Sequence, residues 1–234
     1  MTRRTKADVK KIGAFVDQVA TRIDAVVARL SAVVSEMPSG GAEFNYFVDS
    51  TRRILEQRDD GDPLAGAGYA ADYVESVRPP AMVWWVSRGG AVVERAHSAD
   101  PESESFYDYS ALRWFRNAVD SRAPTLSGPF IDTWGADDYT VTVSLPVPGK
   151  VMPTGVLAAD VDVRRFIESL TAELLSIAIP LALVNESDRV VVSTVPSLST
   201  GLPIVPRSAR GNIASVVQKR FSVSDYGWSV VLLD

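Results

Sequence analysis

The feature that most constrains the fold is a run of strand-like segments that follows a short aromatic segment, between residues 107 and 160. From residue 139 to 147, apolar and polar side chains alternate with a period of two, which predicts a strand with one buried face. Residues 155–160 form an apolar run that is typical of a more buried strand. Residues 107–118 predict a short helix with aromatic side chains on one side. A helix followed by antiparallel strands predicts an α+β domain with a small concave site and no obvious catalytic centre.

A long amphipathic helix is predicted over residues 7–36, because apolar residues recur there every three or four positions. This apolar stripe consists of Ile12, Phe15, Val19, Ile23, Val26, Leu30 and Val33. Thirty helical residues span about 45 Å, which is longer than the face of one small domain. Two interpretations stay open: the stripe packs on the protein's own domains, or it forms the seam of a homodimer.

The remaining segments predict alternating helices and hairpins. A second helix is expected over residues 43–58, a loop over 59–68, a short helix over 69–77 and a further helix over 163–177. Turn residues predict a hairpin between residues 82 and 95, a second between 181 and 193, and a third between 221 and 233.

Composition excludes several classes of function. The net charge of −5 argues against nucleic-acid binding as the main role. The chain has no cysteine and one histidine, so it cannot build a zinc site from these residue types. His97 is interpreted as a surface residue, and Asp59, Asp60 and Asp62 as a solvated turn rather than a cation loop. Gly66-Ala67-Gly68 lacks the context of a phosphate-binding loop. No cofactor, metal or catalytic residue is predicted.

The sequence favours a soluble cytoplasmic protein. Charged and polar residues interrupt the region after the basic N-terminal residues, whereas a secretory signal has an uninterrupted apolar core. The longest apolar stretch, residues 174–184, is too short to cross a bilayer.

A cluster of aromatic and acidic residues within the 107–160 stretch predicts a ligand pocket. Its aromatic members are Tyr107, Tyr109, Trp114, Phe130, Trp134 and Tyr139. Its acidic members include Asp132 and Asp160. Aromatic faces attract an ammonium group and a carboxylate completes the charge pairing, so the cluster favours an amine or amino-acid-like ligand. The alternative is that the aromatics are core and the acids are turn residues.

The order of these motifs resembles the double Cache family of PAS-like sensor domains, found on chemoreceptors and histidine kinases. The matching positions are Trp114, Phe115, Ala118, Phe130, Asp132, Gly155, Val156 and Asp160. The resemblance implies that Asp160 contacts the amino group of the ligand, with Asp132 as the second candidate. One position departs from the family pattern: Leu112 stands where the family has an arginine that holds the ligand's carboxylate. Arg113 is adjacent, but one helical step turns it about 100° away.

The resemblance implies an α+β fold with a long N-terminal helix (residues 1–37), a larger ligand-binding module (38–165) and a smaller second PAS-like module (166–234). The predicted function is a non-enzymatic small-molecule sensor that signals by association with an unidentified partner, without nucleic acid or membrane as a partner. Two alternatives remain: an enzyme or accessory subunit on a PAS-like scaffold, and a structural dimerisation module. Because Leu112 cannot donate a hydrogen bond, amines are expected to be preferred over ordinary amino acids.

Overall fold

The computed structural model describes residues 6–38, 44–72, 82–98, 100, 102–104, 106–134, 138–148, 155–205 and 216–234. The helices are α1 (Lys6–Ser35), α2 (Phe44–Glu56), α3 (Arg113–Ser121), α4 (Val163–Glu168) and α5 (Thr171–Leu175), and a single 3₁₀ turn spans Tyr109–Ala111. The strands are β1 (Leu64–Ala71), β2 (Met82–Arg88), β3 (Ala91–Glu94), β4 (Thr125–Ile131), β5 (Tyr139–Val147), β6 (Gly155–Asp162), β7 (Leu181–Val184), β8 (Val190–Ser193), β9 (Val217–Val223) and β10 (Trp228–Leu233).

The strands form two antiparallel sheets. The first has six strands in the order β3-β2-β1-β6-β5-β4, and the second has four in the order β8-β7-β10-β9. The predicted α+β fold, with a long N-terminal helix and two antiparallel-sheet modules, is confirmed. The three predicted hairpins are confirmed as β2–β3, β7–β8 and β9–β10. The domain boundaries at residues 37 and 165 stay a prediction.

Helix α1 packs across both sheets. All seven residues of its predicted apolar stripe are buried, and the helix contacts β5 and β6 of the first sheet and β9 of the second. Arg29 of α1 also pairs with the buried Asp62 just before β1, and Asp62 Oδ1 accepts a hydrogen bond from the Leu64 amide (3.1 Å). The chain itself therefore covers the stripe, which is not the free seam on which the homodimer prediction rested. The expectation that Asp62 belongs to a solvated turn is wrong, because this residue is buried and paired.

Strand β1 occupies residues for which the sequence predicted a loop followed by a short helix. The predicted loop was wrong because the small residues Gly66, Ala67 and Gly68 were assigned to it. They lie instead on a central strand, between β2 and β6. Two of them are glycines because a side chain from β2 occupies the space above them, as described below. Residues 73–77 of the predicted helix lie outside the described residues.

The single helix predicted over residues 163–177 is two short helices, α4 and α5. The helix is interrupted at Ser169 and Leu170, and Leu170 is fully buried. Arg22 of α1 donates a hydrogen bond from Nη2 to the Ser169 carbonyl (2.8 Å). The break thus places an apolar side chain in the core and gives a helix-end carbonyl a partner from α1.

Candidate functional site

The two faces of the first sheet have different coverings. Helices α1 and α2 cover the inner face, while α3 and the 3₁₀ turn cover the face that we call the outer face. Alternate residues of each strand point to this outer face. Two rows of opposed residues cross it. One row holds Thr125, Ser144, Ala158, Gly68 and Trp84, and the other holds Ser127, Thr142, Asp160, Gly66 and Val86.

The indole of Trp84 lies flat across β1. A Cβ atom built on Gly68 would come within 2.3 Å of Trp84 Cε3, and one on Gly66 within 3.0 Å of Trp84 Nε1 and 3.2 Å of Asp160 Oδ2. The two glycines therefore leave the space that the indole fills. As a result, the indole nitrogen lies beside the carboxylate of Asp160. It makes no well-directed hydrogen bond there.

Asp160 is a buried carboxylate on β6, with 6% of its surface exposed. Its Oδ1 accepts a hydrogen bond from Thr142 Oγ1 (2.7 Å), and within the described residues it forms no salt bridge. Burial raises the pKa of Asp160 from 3.8 to about 7, and the nearby charge of Asp132 adds to the rise, while the side chains of Thr142 and Trp84 oppose it. A cationic ligand group would offset the cost of ionising this residue.

Asp132 lies just after β4, on the same side of the sheet. It is buried, its amide donates to the Asp138 carbonyl (3.1 Å), and its Oδ1 accepts a hydrogen bond from the Trp134 amide (3.2 Å). This turn fixes the position of Trp134. Tyr107 is close enough to both carboxylates for their charges to contribute to its pKa, which is raised above its usual value chiefly by burial. The structure thus brings together three predicted site residues: Asp160, Asp132 and Tyr107.

Aromatic side chains cover this acidic pair. Tyr107 stacks on Trp134, with ring centroids 4.2 Å apart. The Trp84 ring lies 5.5 Å from Trp114 and 6.4 Å from Trp134. We call these four side chains the aromatic cluster. Its π-faces and the two carboxylates are the groups that recognise an ammonium ion in proteins.

The other predicted aromatic residues lie elsewhere. Tyr109 is buried, and its hydroxyl donates to the Ala71 carbonyl (2.8 Å), so it holds the 3₁₀ turn against the end of β1. Phe130 and Tyr139 border a cavity of about 510 Å³ between the two modules. Tyr107 and Trp114 also border this cavity, together with Asn185 and Arg189 of the second module.

Asp160 is not part of the wall of that cavity. It lines a separate depression of about 200 Å³, whose wall is strongly charged and includes Arg58, Arg88, Arg164 and Arg165. Tyr107 links the cavity to Asp160, because Tyr107 lines the cavity and the charge of Asp160 contributes to its raised pKa. Seven of the eight predicted residues therefore form an acidic and aromatic centre and a neighbouring cavity, rather than one continuous wall, while Tyr109 belongs to the core.

Helix α3 begins at Arg113, so Leu112 precedes the helix with an extended backbone (φ −83°, ψ 147°). The argument that one helical step separates the two side chains is wrong for this reason. Arg113 lines the same cavity as Leu112. Its side chain is 71% exposed and pairs with Glu186 of the second module (Nη2 to Oε1, 3.3 Å). Leu112 itself is half-buried and lines the cavity.

Sequence reasoning missed four residues of the site: Trp84, Gly66, Gly68 and Thr142. The available signal was the pattern of β2, in which Met82, Trp84 and Val86 share one face with the aromatic segment. The strand position of the two glycines becomes visible only through the pairing of β1 with β2 and β6. Thr142 was recognised as one of the polar residues of β5, but its partner Asp160 lies 18 residues away in the sequence.

The described part of the chain contains no second candidate site among its metal-binding or titratable groups. Within the described ranges, no group of three or more His, Asp or Glu side chains is arranged to hold a metal ion. His97 is half-buried beyond β3, and burial lowers its pKa. Among the described helices, none combines the length and the hydropathy that a membrane-spanning helix needs.

Comparison with known proteins supports the resemblance inferred from the sequence. Residues 80–168 match the family model described as "Methyl-accepting chemotaxis protein-like, first PDC sensor domain". No curated protein matches the chain in sequence. The double Cache (PDC) sensor fold predicted from the sequence is confirmed.

Solved structures of sensor domains share this fold over nearly the whole chain. A structure named methyl-accepting chemotaxis protein X has a TM-score of 0.63 at 14% identity, covering 97% of this chain and 96% of its own. The ligand-binding domain of the Pseudomonas aeruginosa PAO1 amino acid chemoreceptor PctC, in complex with GABA, has a TM-score of 0.62 at 17% identity, covering 96% of both chains. The extracellular domain of the histidine kinase soHK1S-Z6 has a TM-score of 0.63 at 15% identity, covering 97% and 95%.

Proposed function

Because residues 80–168 match a chemoreceptor-type sensor family and the chain has the double Cache fold, we propose that the protein is a small-molecule sensor domain. Its ligand is an amine or an amino-acid-like compound, and it binds without turnover. The ammonium group contacts Asp160 and Asp132, and the aromatic cluster encloses the rest of the ligand's cationic end. Occupancy is relayed to a partner protein.

The observation that carries this proposal is the buried carboxylate of Asp160. A buried carboxylate is costly to ionise unless a cation pairs with it. The hydrogen bond from Thr142 is the one that the structure records for the Asp160 side chain, and no described Lys or Arg pairs with it. A ligand ammonium would supply the missing charge between Asp160 and the rings of Tyr107 and Trp114.

The sensor role is supported by the matched proteins, which are described as sensor, ligand-binding or extracellular domains and not as catalytic domains. Recovery of the bound compound unchanged would separate a sensor from an enzyme on the same scaffold. The alternative of a dimerisation module receives no support from α1, because its apolar stripe is buried against the chain itself. Homodimerisation stays a prediction, to be measured by light scattering.

The location of the protein also stays a prediction. The sequence favoured the cytoplasm, whereas one of the similar structures is named as an extracellular domain and another as a periplasmic one. Fractionation of the source cell is the measurement that decides between these compartments.

A thermal-shift screen over alkylamines, polyamines, α-amino acids and small carboxylates tests the proposed function. A ligand at a hundred times its Kd should add about 2.7 kcal/mol to stability. Amines or amino acids are expected to stabilise the wild type and to lose that effect in Asp160→Asn. The matched control is Asp225→Asn, an exposed residue in the β9–β10 turn, which should behave as the wild type. Stabilisation by carboxylates alone, or an unchanged response of Asp160→Asn, would contradict the proposal.

A further inference from the structure

We propose that Arg95 is a second recognition group of the ligand site, which binds an anionic or acceptor group far from the ligand's ammonium. This inference rests on the proposed function and specifies the ligand class. It predicts a ligand whose positive and negative groups are separated by several atoms, such as an ω-amino acid, rather than an α-amino acid.

The strand register places Arg95 on the ligand face of the first sheet. Trp85 is paired with Glu94, so Arg95, the first residue after β3, lies opposite Trp84. Its amide donates to the Trp84 carbonyl (2.7 Å), which continues the pairing by one residue. Directly opposed residues in an antiparallel pair point to the same face. Arg95 therefore extends the row that begins at Thr125 and runs through Gly68 and Trp84.

The side chain of Arg95 reaches the aromatic cluster. Its Cζ lies 5.6 Å from the centroid of the Trp134 ring, within the range of a cation–π contact. Trp134 in turn stacks on Tyr107, whose raised pKa includes contributions from the charges of Asp160 and Asp132. The guanidinium and the acidic pair are thus connected through the same group of rings.

Arg95 has unused capacity to donate hydrogen bonds. Its Nε is buried and makes no hydrogen bond within the described residues, and no described carboxylate forms a salt bridge with it. A buried donor without an acceptor is costly, and a guanidinium presents a planar fork that fits a carboxylate. A ligand carboxylate or a similar acceptor would satisfy this donor.

The distance across the sheet determines the ligand class. From β3 to β6 there are three strand intervals, or roughly 14 Å between backbones. The Trp84 indole lies between them, with its nitrogen beside Asp160. An α-amino acid carries its two charged groups on one carbon, so it cannot reach from Asp160 past the indole to Arg95. Leu112, where an arginine would hold an α-carboxylate, is consistent with this arrangement.

Calorimetry with matched probes tests the proposal. The probes are ω-amino acids with three to six carbons, the n-alkylamines of the same length, and norvaline. The wild type is expected to bind an ω-amino acid of intermediate length roughly tenfold to a hundredfold tighter than the matching alkylamine, as one charge-assisted hydrogen-bonded contact would give. In Arg95→Met this advantage should disappear while the affinity for alkylamines stays unchanged. Arg116→Met, at an exposed position on α3, is the control and should keep the advantage.

A purely structural role for Arg95, as a brace of Trp134, would weaken the binding of both probe series equally in Arg95→Met, and this would overturn the proposal. Charge reversal sharpens the test, since Arg95→Glu should favour a diamine over the ω-amino acid of the same length. If the wild type binds alkylamines as tightly as ω-amino acids, the inference about Arg95 fails while the proposed function stands. If the wild type binds neither alkylamines nor ω-amino acids at millimolar concentration, the inference about Arg95 and the proposed function both fail.

Discussion

The outer faces of the two sheets are built from similar strands but are filled in different ways. The outer face of the second sheet is aliphatic, with Val184, Val190 and Val231 buried beneath Ile204. That of the first sheet carries the aromatic cluster and the buried Asp160. It also holds buried polar atoms without a hydrogen-bond partner, among them Trp84 Nε1, Ser127 Oγ and Ser144 Oγ.

This difference indicates where a ligand would bind. Buried polar groups are normally hydrogen-bonded, so a set of unpartnered ones marks a place where something else supplies the partners. Among the described residues, the aliphatic cluster holds no buried polar atom without a partner. We therefore expect the aliphatic face to contribute stability, and the outer face of the first sheet to contribute recognition. The following predictions test this division, beginning with the largest expected effect.

Truncation on the aliphatic face should reduce stability without altering recognition. Leu233→Ala removes a buried side chain of β10 and is expected to lower the free energy of unfolding by about 2–5 kcal/mol. Leu202→Ala, at an exposed position, is the control. Urea denaturation measures the stability, and calorimetry at low temperature measures the affinity of the folded protein for an amine. A large change of that affinity would contradict the division between the modules.

Removal of the buried carboxylate should affect recognition. Asp160→Ala is expected to weaken amine binding by roughly 1.5–3 kcal/mol, the contribution of a hydrogen bond to a charged group. The matched change in the second module is Thr194→Val, which removes the hydroxyl that accepts a hydrogen bond from the Leu181 amide (2.9 Å). This variant should lose stability but bind the amine as the wild type does. Calorimetry measures the amine affinity of both variants. An unchanged affinity of Asp160→Ala would contradict the assignment of recognition to the first sheet.

The missing arginine at position 112 should make the site discriminate against an α-carboxylate. We expect an amine to bind more tightly than the corresponding α-amino acid by about 1–3 kcal/mol, because the buried carboxylate of the amino acid would lack a partner. Calorimetry with cadaverine and lysine provides a matched pair that differs by this carboxylate. Tighter binding of lysine would show that another donor near Asp160 holds its carboxylate.

The raised pKa of Asp160 predicts a pH dependence. The ammonium of an amine stays charged below pH 9, whereas Asp160 in the free protein ionises around pH 7. Affinity should therefore fall about tenfold from pH 8 to pH 6, and Asp160→Asn should remove this dependence.

The stability of the unligated protein should change with pH in the opposite direction. Because the folded pKa of Asp160 lies above the usual 3.8, the stability that this group contributes falls as pH rises from about 4 to 7. Calorimetry at several pH values measures the first effect, and denaturation without ligand measures the second.

Much of the fold was predictable from periodicity. The stripe of α1 and the alternation in β5 are strong local signals, and the turns of the three hairpins carry residues that favour turns. The acidic members of the site were predicted from the resemblance, in which Asp132 occupies the strand-start motif and Asp160 the last position of Gly-Val-x-x-x-Asp.

The features that sequence reasoning missed depend on tertiary contacts. Nothing local shows that Gly66 and Gly68 lie in a central strand, because the reason for them is the indole of Trp84 on a neighbouring strand. The break between α4 and α5 depends on the burial of Leu170 and on a hydrogen bond from Arg22, 147 residues away. The role of Tyr109 in the core also depends on a distant partner, the carbonyl of Ala71.

The packing of α1 has a consequence for the order of folding. Lys11 Nζ donates to the Ser176 carbonyl (2.7 Å), 165 residues further along the chain, and the helix also contacts β9 near the C-terminus. Contacts between such distant residues close late and slow folding. During synthesis, the apolar stripe emerges before the second sheet and stays exposed until the residues of that sheet have followed it. A chaperone that binds amphipathic helices therefore has its longest opportunity at the segment from Ile12 to Val33.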